Sequence, residues 1–81
     1  MKEVLSMDFT YETVILGKEI EGERKSVYGV KVKDKTGRLL GLVEDVSTDK
    51  MRVNALVMLC NELQLSPMHF YDAINDFIIS Y

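Results

Sequence analysis

The sequence predicts an α+β domain: a three-stranded antiparallel meander followed by two helices packed on one face (β-β-β-α-α). Two observations carry this. In the first half, apolar residues alternate. Phe9, Tyr11, Thr13 and Ile15 share one parity, and Tyr28, Val30 and Val32 share another. Period two is the strand signature. From Ser47 onward the apolar repeat lengthens towards 3.6, the helical period. The elements expected are strands over about 8–20, 23–34 and 38–46 and helices over about 48–64 and 67–80, in one domain spanning residues 1–81.

The turns set the registers. A loop at Glu21-Gly22 pairs Ile15 with Tyr28 and Tyr11 with Val32 on the core side. On the outer face it sets Glu12 opposite Lys31 and Glu19 opposite Arg24, and opposite charges across strands support that choice. In "DKTGR", a three-residue loop of Lys35, Thr36 and Gly37 pairs Val32 with Leu40 and Val30 with Leu42. It also places Gly37 at the left-handed position such a loop requires. A two-residue loop would instead turn Gly41 to the core and expel Leu40 and Leu42. The three-residue loop is therefore preferred.

The first helix begins at "DVSTDK", where Ser47 or Thr48 can cap and Asp49 suits the positive end of the helix dipole. Val53, Leu56, Val57, Leu59, Cys60 and Leu63 form its main apolar face. Met51, Ala55 and Met58 form a second stripe on roughly the opposite side, beside Glu62. The second helix starts clearly, with Ser66 as cap and Pro67 in the first helical position. Phe70, Tyr71, Ile74, Phe77, Ile78 and Tyr81 give it one apolar stripe.

Size and charge narrow the function classes. Eighty-one residues make a single small domain of modest stability, roughly 4–12 kcal/mol. The longest apolar run, Ala55–Cys60, is far too short for a membrane span, and "MKEVLSMDFTYE" lacks the apolar core of a signal sequence. A lone cysteine in an apolar run forms no internal disulfide, so the expected compartment is the cytoplasm. Residues 18–38 carry seven Lys or Arg against four Asp or Glu, whereas residues 39–81 carry two against six. The total of −3 argues against a nucleic-acid binder.

The candidate chemistry is sparse. His69, Asp72 and Asp76 cluster roughly 160–200° from the centre of the second helix's apolar face and so point to solvent. Such a position lacks the burial that shifts a catalytic pKa, and one His with two Asp is thin for a dedicated zinc site. Cys60 reads as a small buried hydrophobe. Lys31 and Lys33, with Lys35, read as the wet face of a sheet, the alternative being a patch for an anionic partner. No phosphate-binding loop, dinucleotide fingerprint or CxxC is present. Gly29 and Gly41 are expected as diagonal neighbours on the outer face, with Val43 among the surrounding hydrophobes. They mark either a bulge or a close approach by another backbone or ligand.

At "SVYGVKV", "VEDVSTDK" and "LSPMHFYDAINDFI" the chain resembles a family of short proteins from spore-forming bacteria, catalogued as a domain of unknown function. The resemblance covers about residues 9–79 and implies a cytoplasmic bacterial protein. No activity, substrate or cofactor comes with it.

The functional expectation is a small non-enzymatic interaction module that self-associates as a homodimer, with no cofactor, no metal and no membrane attachment. Its candidate surface comprises Met51, Ala55 and Met58 on the first helix, and Gly29, Gly41, Val43, Lys31 and Lys33 on the sheet. If the helices lie side by side, the methionine stripe faces out. If the second folds over the first, the stripe is buried. The alternative function is an accessory or regulatory protein whose basic central strand binds an acidic partner or nucleic acid.

Overall fold

The computed structural model describes residues 8–79. β1 (Phe9–Ile20), β2 (Glu23–Asp34) and β3 (Leu39–Ser47) form an antiparallel sheet in the order β1-β2-β3, followed by α1 (Lys50–Leu63) and α2 (Pro67–Ile79). This is the predicted α+β arrangement. The first seven residues and Tyr81, the last of the apolar stripe expected on the second helix, lie outside the described residues.

The β1–β2 register matches the sequence expectation. Ile15 faces Tyr28, Tyr11 faces Val32, Glu12 faces Lys31 and Glu19 faces Arg24. Glu21 (φ 51°) and Gly22 (φ 82°) both adopt left-handed backbone. That two-residue turn has the twist that two right-twisted strands need. Ile15 lies on the core side yet is 62% exposed, because the hairpin runs on past the helices.

The second turn has the predicted length, but the strand beyond it does not pair as predicted. Asp34 N–H donates to Arg38 O (2.9 Å), Gly37 N–H donates to Asp34 O (3.0 Å), and Gly37 sits at φ 91°. The Asp34 carboxylate accepts from the Thr36 hydroxyl (2.6 Å) and from the N–H groups of Arg38 (3.0 Å) and Thr36 (2.9 Å). Those bonds, the hydroxyl's first, hold its carboxyl below the usual range. Lys33 then faces Leu39, but Val32 faces Gly41 and Val30 faces Val43, so Leu40 is an extra residue in a bulge.

A one-residue slip exchanges the two faces of a strand. Leu40 and Leu42, expected in the core, are 37% and 38% exposed. Gly41 and Val43, expected on the outer face, belong to the core side, where Val43 packs against the main cluster. The reason is Phe70. A Cβ on Gly41 would lie 3.2 Å from the Phe70 ring and 3.2 Å from Val32 Cγ1. The fully buried ring occupies the space that a side chain at position 41 would need.

Gly29 answers the other glycine question. A Cβ there would sit 2.2 Å from Val43 O and 2.6 Å from Glu44 O. The pairing also slips at this point, so that Tyr28 faces Ser47. Bulge and close approach are both present, and the approaching backbone is the protein's own β3. Lys18 of β1 pairs with Asp45 of β3 across the central strand, so the sheet coils strongly here. Val27, on the same face of β2 as Gly29, is only 2% exposed.

α1 is capped by Asp49, whose carboxylate accepts from Met51 N–H (3.1 Å) and Arg52 N–H (3.3 Å). Ser47, expected with Thr48 as the cap, supports it instead by accepting from Asp49 N–H. The helix ends at Gln64, which is left-handed (φ 48°), with its N–H and that of Leu65 donating to Asn61 O and Cys60 O. Glycine would be the easy choice at such a cap. Glutamine is there for its side chain.

β1 is an edge strand, so alternate residues turn their N–H and C=O groups away from the sheet. Two amides on α1 receive them. Tyr11 N–H donates to Asn61 Oδ1 (2.8 Å), and Asn61 Nδ2 donates to Tyr11 O (3.0 Å). Phe9 N–H donates to Gln64 Oε1 (3.1 Å), and Gln64 Nε2 donates to Phe9 O (2.9 Å). Two strand residues span about 6.6 Å and three helical residues about 4.5 Å. The longer glutamine, swung out by its left-handed backbone, makes up the difference. Thr13 Oγ1 donates to Asn54 Oδ1 (2.6 Å), and the Tyr11 hydroxyl donates to Leu65 O (2.5 Å).

This contact sets the rotation of α1. Asn54 and Asn61 occupy its flank towards β1, and Val53, Leu56, Val57 and Cys60 are buried. The opposite flank turns outward, so Leu59 and Leu63, expected in the core, are 50% and 64% exposed. α2 begins as predicted, with Ser66 Oγ accepting from Met68 N–H (3.1 Å). It contributes Phe70 and Ile74 to the core, and the Phe70 ring lies 5.5 Å from that of Tyr11.

Three stability outcomes follow from these contacts. Gly29→Ala forces a methyl into backbone and should cost roughly 3 kcal/mol. Gly41→Ala meets side chains that can yield and should cost about 1 kcal/mol. Urea unfolding measures both, and equal losses would contradict the closeness of β3 to Gly29.

Asn61→Asp keeps the acceptor for Tyr11 N–H but loses the donor to Tyr11 O. It should cost about 2 kcal/mol at pH 7. A neutral carboxyl can donate again, so its folded pKa is raised. The loss should shrink, relative to wild type at the same pH, as the pH falls through that raised folded pKa, and should level off below the unfolded value of about 4.

Burial pushes the Tyr11 phenol up to about 12 from 10.0, with Cys60 adding to the shift. Its contribution is complete below pH 10 and is lost as the pH rises towards 12. Urea midpoints should therefore fall over that interval, by less in Tyr11→Phe.

Candidate interaction surface

The side of α1 facing away from the sheet is mostly apolar, interrupted by Arg52 and Glu62 near its two ends. Met51 is 80% exposed, Met58 66%, Leu63 64% and Leu59 50%, and Ala55 is exposed among them. α1 lies over β1 and β2 while α2 lies over β3, so the helices sit side by side and α2 leaves the methionine stripe uncovered. Between them runs an open crevice of about 290 Å³ lined by Arg52, Ala55, Leu56, Leu59 and Phe77. Leu59 and Leu63 thus join Met51, Ala55 and Met58 in one band. The apolar repeat of the helix predicts these two leucines inward. Asn54 and Asn61, which share one flank of the helix, were the signal that α1 is turned.

The sheet half of the expected surface comes apart. Gly41 and Val43 face the core, and Gly29 lies beneath the β3 backbone. Their place on the outer face is taken by Leu39 and Leu42, 53% and 38% exposed. Lys31 and Lys33 do lie together there, but one carboxylate holds both. Glu12 Oε1 is 3.3 Å from Lys31 Nζ, and Glu12 Oε2 is 3.4 Å from Lys33 Nζ. Burial opposes the charge on Glu12, yet the hydrogen bonds from the two ammonium groups outweigh it and hold the carboxyl below its usual range. Lys35 lies 3.8 Å from Asp8. The basic row is partly neutralised within the chain.

His69, Asp72 and Asp76 are all exposed on α2. Among the described residues no group of three or more His, Cys, Asp or Glu is placed to hold a metal ion. Cys60 is 2% exposed, and burial pushes its thiol up, away from the reactive thiolate. Among the described residues no helix is long and apolar enough to cross a membrane. α2 also exposes Met68, Tyr71, Ile78 and Ile79, and what the apolar band on α1 can do chemically is exclude water against another apolar surface.

No curated protein and no solved structure matches the chain. One family model covers residues 2–80, nearly the whole sequence, and the chain belongs to that family: DUF6514, a family of unknown function.

Proposed function

We propose that this protein is a small, cytoplasmic, non-enzymatic interaction module whose partner is a second copy of itself, joined through the outward side of α1. One observation carries the reading: five apolar residues of a single helix, Met51, Ala55, Met58, Leu59 and Leu63, stand exposed in one band. Scattered exposed hydrophobes are ordinary, but a contiguous apolar band on so small a domain marks a contact surface. Methionines suit a contact that must adjust its shape. A domain of this size also gains stability by burying such a band against a partner. The alternative, an acidic partner or nucleic acid on the basic strand, has weaker support because Glu12 already holds Lys31 and Lys33.

Sedimentation equilibrium tests the reading. Wild type at about 100 µM should be dimeric, since even a dissociation constant near 10 µM populates the dimer at that concentration. Leu59→Glu should abolish the dimer, and Leu39→Glu, on the outer face of the sheet, should leave it intact. Circular dichroism should show both variants folded. A monomeric wild type would overturn the proposal, and loss only in Leu39→Glu would move the contact to the sheet.

A further inference from the structure

The exposed side of α1, including the wall of the crevice that Arg52, Ala55 and Leu59 line beside α2, carries a pattern that specifies how a second copy would lie on it. Arg52, Ala55, Leu59 and Glu62 follow one another at spacings of three, four and three residues, and all four are exposed. That alternation is the seam of a helix that packs knobs into holes against another helix. The seam is self-complementary in one orientation only. About a point level with residue 57, Arg52 and Glu62 are equidistant, and so are Ala55 and Leu59.

We infer that α1 pairs with α1 of a second copy in an antiparallel arrangement, with Arg52 beside the partner's Glu62 and Ala55 beside the partner's Leu59. This rests on the self-association proposed above and adds its geometry. A two-fold axis at residue 57 makes every contact occur twice, as a closed dimer requires. Each central layer sets a small residue against a large one, which lets the helices approach closely. Each outer layer sets a guanidinium beside a carboxylate. A parallel pair would instead bring Arg52 against Arg52 and Glu62 against Glu62, and like charges oppose that orientation. Shifting the seam to Met51, Ala55, Met58 and Glu62 would set the carboxylate against a methionine, with no cation in the layer. Arg52 already takes part in an interaction within its own chain, and a guanidinium with five N–H donors can serve both.

Charge reversal provides the test. Arg52→Glu and Glu62→Arg should each weaken the homodimer about tenfold or more, because each sets like charges together in both outer layers. An equimolar mixture of the two variants should dimerise with nearly wild-type affinity, since every outer layer then pairs a cation with an anion.

A second arm reads orientation. Oxidation of a mixture of Ala55→Cys and Leu59→Cys proteins should give a 55–59 crosslinked heterodimer faster than either protein crosslinks alone. Cys60 is buried and should not compete. A dimeric wild type whose affinity ignores both charge reversals overturns the antiparallel seam while leaving self-association standing. Preferential 55–55 crosslinking overturns it too, in favour of a parallel pair. A monomeric wild type removes both proposals.

Discussion

The paired amides of Asn61 and Gln64 on the free edge of β1 are the contact from which the rest of the arrangement follows. An edge strand leaves unpaired N–H and C=O groups that must find partners or water. Here two side chains on a helix do what a neighbouring strand would do, each giving one donor and one acceptor to one strand residue. Four directional bonds fix the position of α1 along β1 and its rotation about its own axis. An apolar interface alone would tolerate rotation by a residue or so, because Leu59 and Leu63 could pack as well as Leu56 and Val57. With the amides engaged, the helix buries its stripe from Val53 to Cys60 and turns two leucines out. The exposed band on α1 is thus a geometric consequence of satisfying the edge of the sheet.

Two glycines do comparable work inside the sheet. Gly41 leaves space for the Phe70 ring, which ties α2 to the sheet and touches Tyr11 from the other side. Gly29 lets the β3 backbone close in on the central strand, and the pair between Lys18 and Asp45 holds the coil beyond it. These close approaches occupy the sheet positions that would otherwise have offered a flat patch to a partner. The helical side is left with the larger apolar exposure.

Electrostatics point the same way. In the basic row Glu12 stands between Lys31 and Lys33, and Asp8 stands near Lys35, so two carboxylates offset part of the charge of three lysines. On α1, by contrast, Arg52 and Glu62 bracket an apolar centre. Opposite charges at the two ends of a short apolar seam would favour one orientation of a partner, the specificity that the proposed contact needs.

The sequence by itself determined the order and kind of the elements, the β1–β2 register, both turn lengths, the start of α2 and the solvent position of His69, Asp72 and Asp76. These depend on local chemistry: side-chain period, glycine at positive φ, a serine cap before proline, and opposite charges across neighbouring strands. Tertiary structure decided which face of β3 is buried and which way α1 is turned. The Leu40 bulge arises because Phe70, nearly thirty residues further on, fills the space above Gly41. No pattern within β3 records that ring. The rotation of α1 arises because Asn61 and Gln64 reach backbone groups about fifty residues away, and periodicity ranks those residues merely as polar. Both are contacts between elements distant in sequence, where a single ring or amide outweighs the apolar pattern of the element it touches.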